Sequence, residues 1–296
     1  MEGNTIKGKI IKGVGGFYEV DSAGRVYTCR ARGILRNLQL KPMIGDDVLI
    51  TVSESSEEEG TVDEILPRRT SLIRPAVSNI DVLILVLACT KPSPQPILVD
   101  KYLISMDKQN IDVAIVFNKA DLDSDAAERF RDIYTRSGYR VFVTSVRENT
   151  GTEELKSFIR GKTCAFAGPS GAGKSSLTNL LCPQASMETG GISRKIERGK
   201  HTTRHSQLFV AGEDTYLCDT PGFTSVDISD IEADELKLYM PDIALFEGKC
   251  RFNGCLHLAE PGCELKSSVE KGEVPLSRYE SYRKIYEELS NIRRYK

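Results

Sequence analysis

The chain has 296 residues, 40% of them hydrophobic and 28% charged, which points to about two domains and excludes wholesale disorder. Forty Lys and Arg against forty-two Asp and Glu leave a formal charge of −2, so the whole-chain sum predicts no polyanionic partner, although opposite local charges can cancel in it. No apolar run reaches the roughly 18 to 20 residues of a membrane span, and the amino terminus lacks the basic and apolar regions of a secretory signal, so a soluble, cytoplasmic chain without membrane contact is expected.

Residues 1–66 read as short β segments, Ile6 to Ile11, Phe17 to Val20, Arg25 to Ala31 and Asp47 to Val52, separated by glycine turns such as Gly13-Val14-Gly15-Gly16. That pattern predicts a small barrel of the OB or SH3-like kind. Its charge is uneven. Residues 1–45 hold eight Lys and Arg against three acids, a net +5, whereas residues 46–64 hold eight acids and no Lys or Arg. A basic, RNA-facing barrel surface can therefore stand behind an acidic loop.

From about residue 70 buried strands alternate with helical stretches, the pattern of a mainly parallel sheet with crossover helices. The strands are Val82 to Ala88, Val113 to Phe117, Val141 to Thr144, Thr163 to Ala167, Leu208 to Val210 and Thr215 to Cys218. Pro96 to Lys108, Ser124 to Ser137, Thr152 to Arg160 and Gly173 to Leu181 have helical spacing. We place this α/β domain at residues 70–228. Residues 229–296 form a helical domain: an acidic amphipathic helix over Asp227 to Met240, a Cys/His stretch, and a last helix over Leu276 to Lys296. In that helix Tyr279, Tyr282, Tyr286 and Leu289 recur every three or four residues, the spacing of a packing face with a solvated basic side. Cys29, Cys89, Cys164, Cys182 and Cys218 are scattered among apolar neighbours and read as core residues.

Gly168-Pro169-Ser170-Gly171-Ala172-Gly173-Lys174-Ser175 fits the phosphate-binding loop, with an apolar strand before it and a helix from Ser176 after it. Glycines there let backbone N–H groups turn onto phosphates, Lys174 reaches the β/γ oxygens, and the Ser175 hydroxyl suits Mg²⁺. Asn118-Lys119-Ala120-Asp121 sits where a buried strand ends. The Asp121 carboxylate can accept from the N1–H and exocyclic amine of guanine, a pair adenine lacks; Asn118 can address the opposite edge, and Lys119 can lie along the purine. Thr144-Ser145-Val146 follows the next strand and suits either a plain turn or a loop closing over the base with backbone amides. Asp219-Thr220-Pro221-Gly222 places a carboxylate for Mg²⁺ and a Gly222 N–H for a γ-phosphate. Gly199-Lys200-His201-Thr202-Thr203 lies where a switch threonine belongs, and either Thr202 or Thr203 fits that role. Cys250, Cys255, His257 and Cys263 suit a closed tetrahedral zinc site, against free thiols and a surface histidine.

These elements follow an unusual order, with the Asn118–Asp121 motif and the Thr144 loop ahead of the phosphate loop, so the domain is circularly permuted. The permuted order, the basic barrel in front, the Gly-Lys-His-Thr-Thr string and the spacing Cys250-x4-Cys255-x-His257-x5-Cys263 behind resemble the small ribosomal subunit biogenesis GTPase family RsgA (YjeQ/YloQ) over essentially the whole chain. The resemblance implies a GTPase that uses GTP/GDP, Mg²⁺ and one structural zinc. It also implies binding to the small ribosomal subunit and its ribosomal RNA late in maturation, subunit-stimulated hydrolysis, and release after GTP is cleaved. We expect a monomer.

Phe223 stands where many GTPases carry a water-orienting Gln, so slow intrinsic turnover is expected. His201 is the candidate to align water, as is proposed for a switch histidine in the resembling family, against a structural or partner-contacting role. Two other readings are a P-loop kinase or ATPase, disfavoured by the guanine motif, and a GTP-regulated RNA or protein adaptor with little turnover.

Overall fold

The computed structural model describes residues 5–33, 35, 41–53, 56, 58–72, 76–90, 93–185, 207–219 and 226–293. Strands β1 (Thr5–Val14), β2 (Phe17–Ser22), β3 (Arg25–Ala31), β4 (Asp47–Val52) and β5 (Glu59–Ile65) close into a barrel in the order β1-β2-β3-β5-β4. Closure works because β1 is long enough to pair with two neighbours: Thr5 to Lys9 run against β4, and Lys9 to Val14 run against β2. A register shift between Ile10 and Lys12 bends β1 where it passes from one partner to the other. Ile10, Val20, Cys29, Val48, Ile50 and Val62 fill the barrel interior.

The acidic stretch 46–64 is no loop, because β4 and most of β5 lie within it. Alternation explains the difference. Val48, Ile50 and Val62 point inward, while Asp47 pairs with Lys9 at 2.8 Å and Asp63 accepts from Thr51 Oγ1 at 2.6 Å. Eight acids conceal a period-two apolar pattern when they are only counted. A two-stranded ribbon of β6 (Ser71–Leu72) and β7 (Val77–Ser78) follows the barrel.

Beyond it run β8 (Val82–Ala88), α1 (Pro96–Asp107), β9 (Val113–Asn118), α2 (Ser124–Arg136), β10 (Arg140–Thr144), α3 (Thr152–Ile159), β11 (Thr163–Ala167), α4 (Lys174–Leu181), β12 (Leu208–Gly212) and β13 (Thr215–Asp219). The strand order is β10-β9-β8-β11-β13-β12. β9 with β10 and β11 with β13 are parallel, and β12 is an antiparallel edge strand on β13. β8 and β11 are buried along their whole length, as strands covered on both faces must be. Pro96 opens α1, and the Asp123 carboxylate accepts from the Ala126 N–H to cap α2.

By its internal contacts the chain divides into two compact units, residues 1–84 with 152–222, and residues 85–151 with 223–296. The first carries the barrel and the phosphate loop. The second carries the Asn118–Asp121 motif and the Cys/His stretch.

The second unit ends in α5 (Pro241–Ala244), α6 (Glu264–Glu270) and α7 (Leu276–Arg293). The helix expected over Asp227 to Met240 is replaced by successive tight turns and a 3₁₀ segment, Leu236–Tyr239. Backbone N–H groups of Ile231, Glu235, Leu236 and Leu238 each donate three residues back, and the Asp227 carboxylate takes the Ser229 N–H in competition with a helix. Ile228, Ile231, Leu236 and Met240 still reach the core beside Tyr279, Tyr282, Ile285 and Leu289 of α7. The aromatic stripe of α7 is thus a packing face, with Arg283 and Lys284 outside. The five scattered cysteines are buried, and no described helix is long and apolar enough to cross a membrane.

Gly151 closes the turn after β10 with φ +68°, and a Cβ there would stand 2.0 Å from the Val143 carbonyl oxygen. Gly151→Ala should therefore cost about 2 kcal/mol or more of stability, from the left-handed backbone and the overlap together. Urea unfolding checks it, and an unchanged midpoint contradicts this account of the turn.

Candidate functional site

In the first unit β11 runs into Gly168, and the loop bends through positive φ at Gly168 (134°), Gly171 (81°) and Gly173 (94°) before α4 begins at Lys174. Residues with a Cβ rarely take those angles, so the glycine spacing is what lets the strand turn directly into a helix. Where a Cβ of Gly171 would point, nothing lies within 4 Å. The Lys174 ammonium donates to the carbonyls of Gly168 at 2.8 Å and Pro169 at 2.9 Å. These two carbonyls hold it across the loop, and a bond to a phosphate oxygen, with charge on both partners, is stronger still. Pro169, Ser170, Ser175 and Ser176 are exposed or half-buried around this cradle, while Ala172 and Leu177 anchor it in the core. The open glycine side, the cationic head and the hydroxyl of Ser175 fit a phosphate chain with its Mg²⁺. In the parallel pair, Asp219 stands opposite Phe166, so β13 ends at the edge from which the loop leaves. His201, Thr202, Thr203 and Gly222, with the side chain of Asp219, lie outside the described residues.

In the second unit the parallel register sets Thr144 opposite Asn118. The Thr144 hydroxyl donates to Asn118 Oδ1 at 3.2 Å, fixing the orientation of a buried amide. Lys119 then takes a left-handed conformation, φ 64°, which ends the strand and turns the chain into the 3₁₀ segment holding Asp121. Ser145 Oγ donates to Asp121 Oδ1 at 2.6 Å and accepts from the Glu148 N–H at 3.2 Å. Paired backbone hydrogen bonds between Ser145 and Thr150 close that turn, with Val146 half-buried in it. Asp121 is therefore oriented as an acceptor, one oxygen satisfied by Ser145 and the other 3.9 Å from the Arg147 guanidinium. The sequence pattern placed Ser145 in a loop offering backbone amides. The hydroxyl-to-carboxylate contact escaped it, since no spacing rule ties residues 24 apart on neighbouring strands.

The third constellation lies in the second unit. One ligand atom from each of Cys250, Cys255, His257 and Cys263 can be chosen so that all lie within 4.8 Å of one another. His257 Nδ1 is 3.3 Å from Cys263 Sγ and 3.5 Å from Cys250 Sγ. Backbone N–H groups of His257 and Glu264 point at Cys255 Sγ and Cys250 Sγ, the direction that favours thiolates. The loop hangs from α7, because Tyr279 and Tyr282 donate to the carbonyls of His257 and Leu256 at 2.8 and 2.7 Å. Burial pushes the Cys255 thiol up to about 12 and raises the Cys263 thiol, while burial and Lys237 hold His257 below its usual value. A neutral imidazole beside crowded, buried thiols is a donor set that fits a divalent metal ion.

A glycine-built phosphate cradle and an Asn-Lys-x-Asp guanine motif that precedes it in the chain define a circularly permuted GTPase. Residues 65–229 match the RsgA GTPase domain and residues 7–62 the RsgA N-terminal domain. The chain belongs to the RsgA family of GTPases. It is 46% identical over 291 residues to the small ribosomal subunit biogenesis GTPase RsgA of Alkaliphilus metalliredigens, covering 98% of this chain and 99% of that one. With the protein of the same name from Agathobacter rectalis it shares 43% identity over 300 residues, 97% and 99% of the two chains. Two solved structures, YloQ, a circularly permuted GTPase, and YjeQ from Thermotoga maritima, each align over 97% of the chain and over 96% and 99% of their own chains. Both have 34% identity and a TM-score of 0.79.

The cluster yields a pH prediction. Thiols raised by burial carry protons at neutral pH, and a metal ion must displace them, so lowering the pH opposes binding. Metal affinity measured by equilibrium dialysis should fall by at least about a hundredfold from pH 8 to pH 6, tenfold per unit for each proton displaced. Affinity independent of pH would show that the thiols are not the ligands.

Proposed function

We propose that this GTPase is an assembly factor for the small ribosomal subunit, gripping ribosomal RNA in its GTP state and leaving after hydrolysis. The observation that carries the reading is the guanine-reading set, Asp121 held by Ser145 beside the oriented Asn118, in a chain that also carries the phosphate loop. The RsgA relatives, named for small-subunit biogenesis and matched along their whole length, supply the target.

On this reading residues 1–66 form the RNA-binding barrel, 70–228 the GTPase domain and 229–296 the zinc-binding domain. Asn118, Lys119 and Asp121, with the backbone of Ser145 and Val146, take the base. Gly168 to Ser176 take the phosphates, and Lys174 moves from its two carbonyls to the β/γ oxygens. Mg²⁺, which neutralises charge on the β/γ oxygens when bound, would be held by Ser175, Asp219 and either Thr202 or Thr203. Gly222 donates its N–H to the γ-phosphate, and His201 aligns the water, because Phe223 cannot. Zinc suits the cluster's spacing: thiolates about 2.3 Å from a tetrahedral zinc stand about 3.8 Å apart, and Cys250 Sγ and Cys263 Sγ are 3.9 Å apart. Free thiols throughout are consistent with a reducing, cytoplasmic setting.

The barrel offers a surface suited to RNA. Phe17 is exposed on β2, and its cross-strand partner Arg30 holds its guanidinium 4.5 Å from the ring centroid. An exposed ring beside a guanidinium group is an element of a base-stacking platform.

Co-sedimentation with purified small subunits tests the function. The chain should pellet with them in a non-hydrolysable GTP analogue and remain largely in the supernatant in GDP. Equal binding in both states contradicts the nucleotide gate, and no binding contradicts the target. In Phe17→Ala, affinity for single-stranded RNA should fall about tenfold, the loss of one stacked base, with GDP affinity unchanged; fluorescence anisotropy reads both.

A further inference from the structure

Arg278, on α7, is the largest fully buried side chain among the described residues. Its Nε and Nη2 donate to the two oxygens of Asp242 at 3.0 and 2.8 Å, and its Nη1 donates to Asp100. The rings of Tyr134 and Tyr139 lie with centroids 5.7 and 5.6 Å from the guanidinium carbon. One cation between two carboxylates is costly to bury. Such clusters seldom stabilise a fold more than an apolar set of equal volume would, and holding a specific geometry is the better reason to keep one.

The geometry held here is that of the elements carrying the guanine motif. Asp100 comes from α1, and Tyr134 from the last turn of α2, the helix that starts three residues after Asp121 and is capped by Asp123. Tyr139 immediately precedes β10, which ends at Thr144 and Ser145. The Tyr134 ring is 6.0 Å from Phe117, the residue before Asn118, and Phe117 stacks on Phe130 of α2 at 5.2 Å. Arg136, also in the last turn of α2, donates to the carbonyls of Gly272 and Glu273. Arg278 thus sits at the far ends of α2 and β10, whose near ends bring Asp121 and Ser145 within 2.6 Å.

We propose that Arg278 is a positioning residue for guanine recognition: by clamping the far ends of α2 and β10 through Asp100, Asp242, Tyr134 and Tyr139, it keeps Asp121 and Ser145 in the register that reads the base. The C-terminal helix is then part of the specificity of the site as well as a scaffold for the metal loop. This rests on Asp121 being the residue that reads guanine.

The test compares GDP with inosine diphosphate, which lacks only the 2-amino group, one of the two donors Asp121 would accept. Titration calorimetry on the full chain, with melting curves alongside, gives both affinities. The native chain should prefer GDP by about tenfold or more, the worth of one hydrogen bond to a charged group. In Arg278→Lys and in Asp242→Asn that preference should shrink at least threefold, with GDP losing more affinity than inosine diphosphate, which offers Asp121 the N1–H alone. Asp242→Asn keeps the size and an acceptor oxygen, so it yields the comparison even where Arg278→Lys fails to fold. An unchanged preference in a folded variant overturns the proposal whatever happens to its melting temperature, since a merely structural arginine would lower stability alone. A native chain indifferent between GDP, inosine diphosphate and ADP would instead remove the Asp121 assignment, and the proposal with it.

Discussion

Parallel strand pairing at a fixed register is the constraint on which both halves of the nucleotide machinery depend. Side chains at the carboxyl ends of parallel neighbours emerge at one edge of a sheet, so residues far apart in sequence become neighbours without any loop being designed to bring them together. Setting Thr144 opposite Asn118 allows a hydroxyl to orient the buried amide, and one residue further on, Ser145 reaches Asp121. The β11–β13 register sets Phe166 opposite Asp219, at the end of the strand that runs into the phosphate loop. A slip of one residue in the β9–β10 pair would turn the Asn118, Thr144 and Ser145 side chains to the other face and break both contacts. The apolar burial of β9 and β11 is therefore a functional requirement as much as a source of stability.

Circular permutation changes which appendage shares a compact unit with which motif. The barrel belongs with the phosphate loop, and the Cys/His loop and α7 belong with the guanine motif. A hydrogen bond of 2.6 Å from the Tyr216 hydroxyl to Asp21 ties the barrel to β13, the strand that ends at Asp219. In the other unit Tyr279 and Tyr282 suspend the Cys/His loop from α7 while Arg278 fastens α7 to α1. Each unit thus joins one appendage to one of the two sequence motifs. That arrangement suits the proposed coupling of RNA binding to nucleotide state.

Much of this was legible in the sequence, and the remainder was hidden for physical reasons. Strands with uniform apolar burial, such as Val82 to Ala88, and helices with a proline start or an Asp cap announce themselves through composition and periodicity. The phosphate loop is readable because its glycines are demanded by backbone angles, which are local. β5 was hidden since its inward residues, chiefly Val62, are spaced among acids whose charge dominates the stretch. The segment over Asp227 to Met240 misleads in the other direction: its apolar residues approximate a helical spacing, yet tight turns bury them equally well. The Ser145–Asp121 contact and the Arg278 cluster depend on tertiary register, and no sequence window spans them. The −2 of the whole chain proved the least informative number, because the acids that balance the basic barrel sit on its own strands, paired with Lys9 and Arg32.

The central proposal is that Asn118 to Asp121 read a guanine base and that Gly168 to Ser176 take phosphates. Backbone hydrogen exchange of the full chain, with and without saturating GDP and Mg²⁺, measures it directly. GDP should slow exchange in the peptides spanning 118–123 and 144–148 together with those spanning 168–177, over one titration with one midpoint. Protection confined to 168–177, with the guanine segments unchanged, would contradict the account and leave a phosphate-binding loop without a base reader.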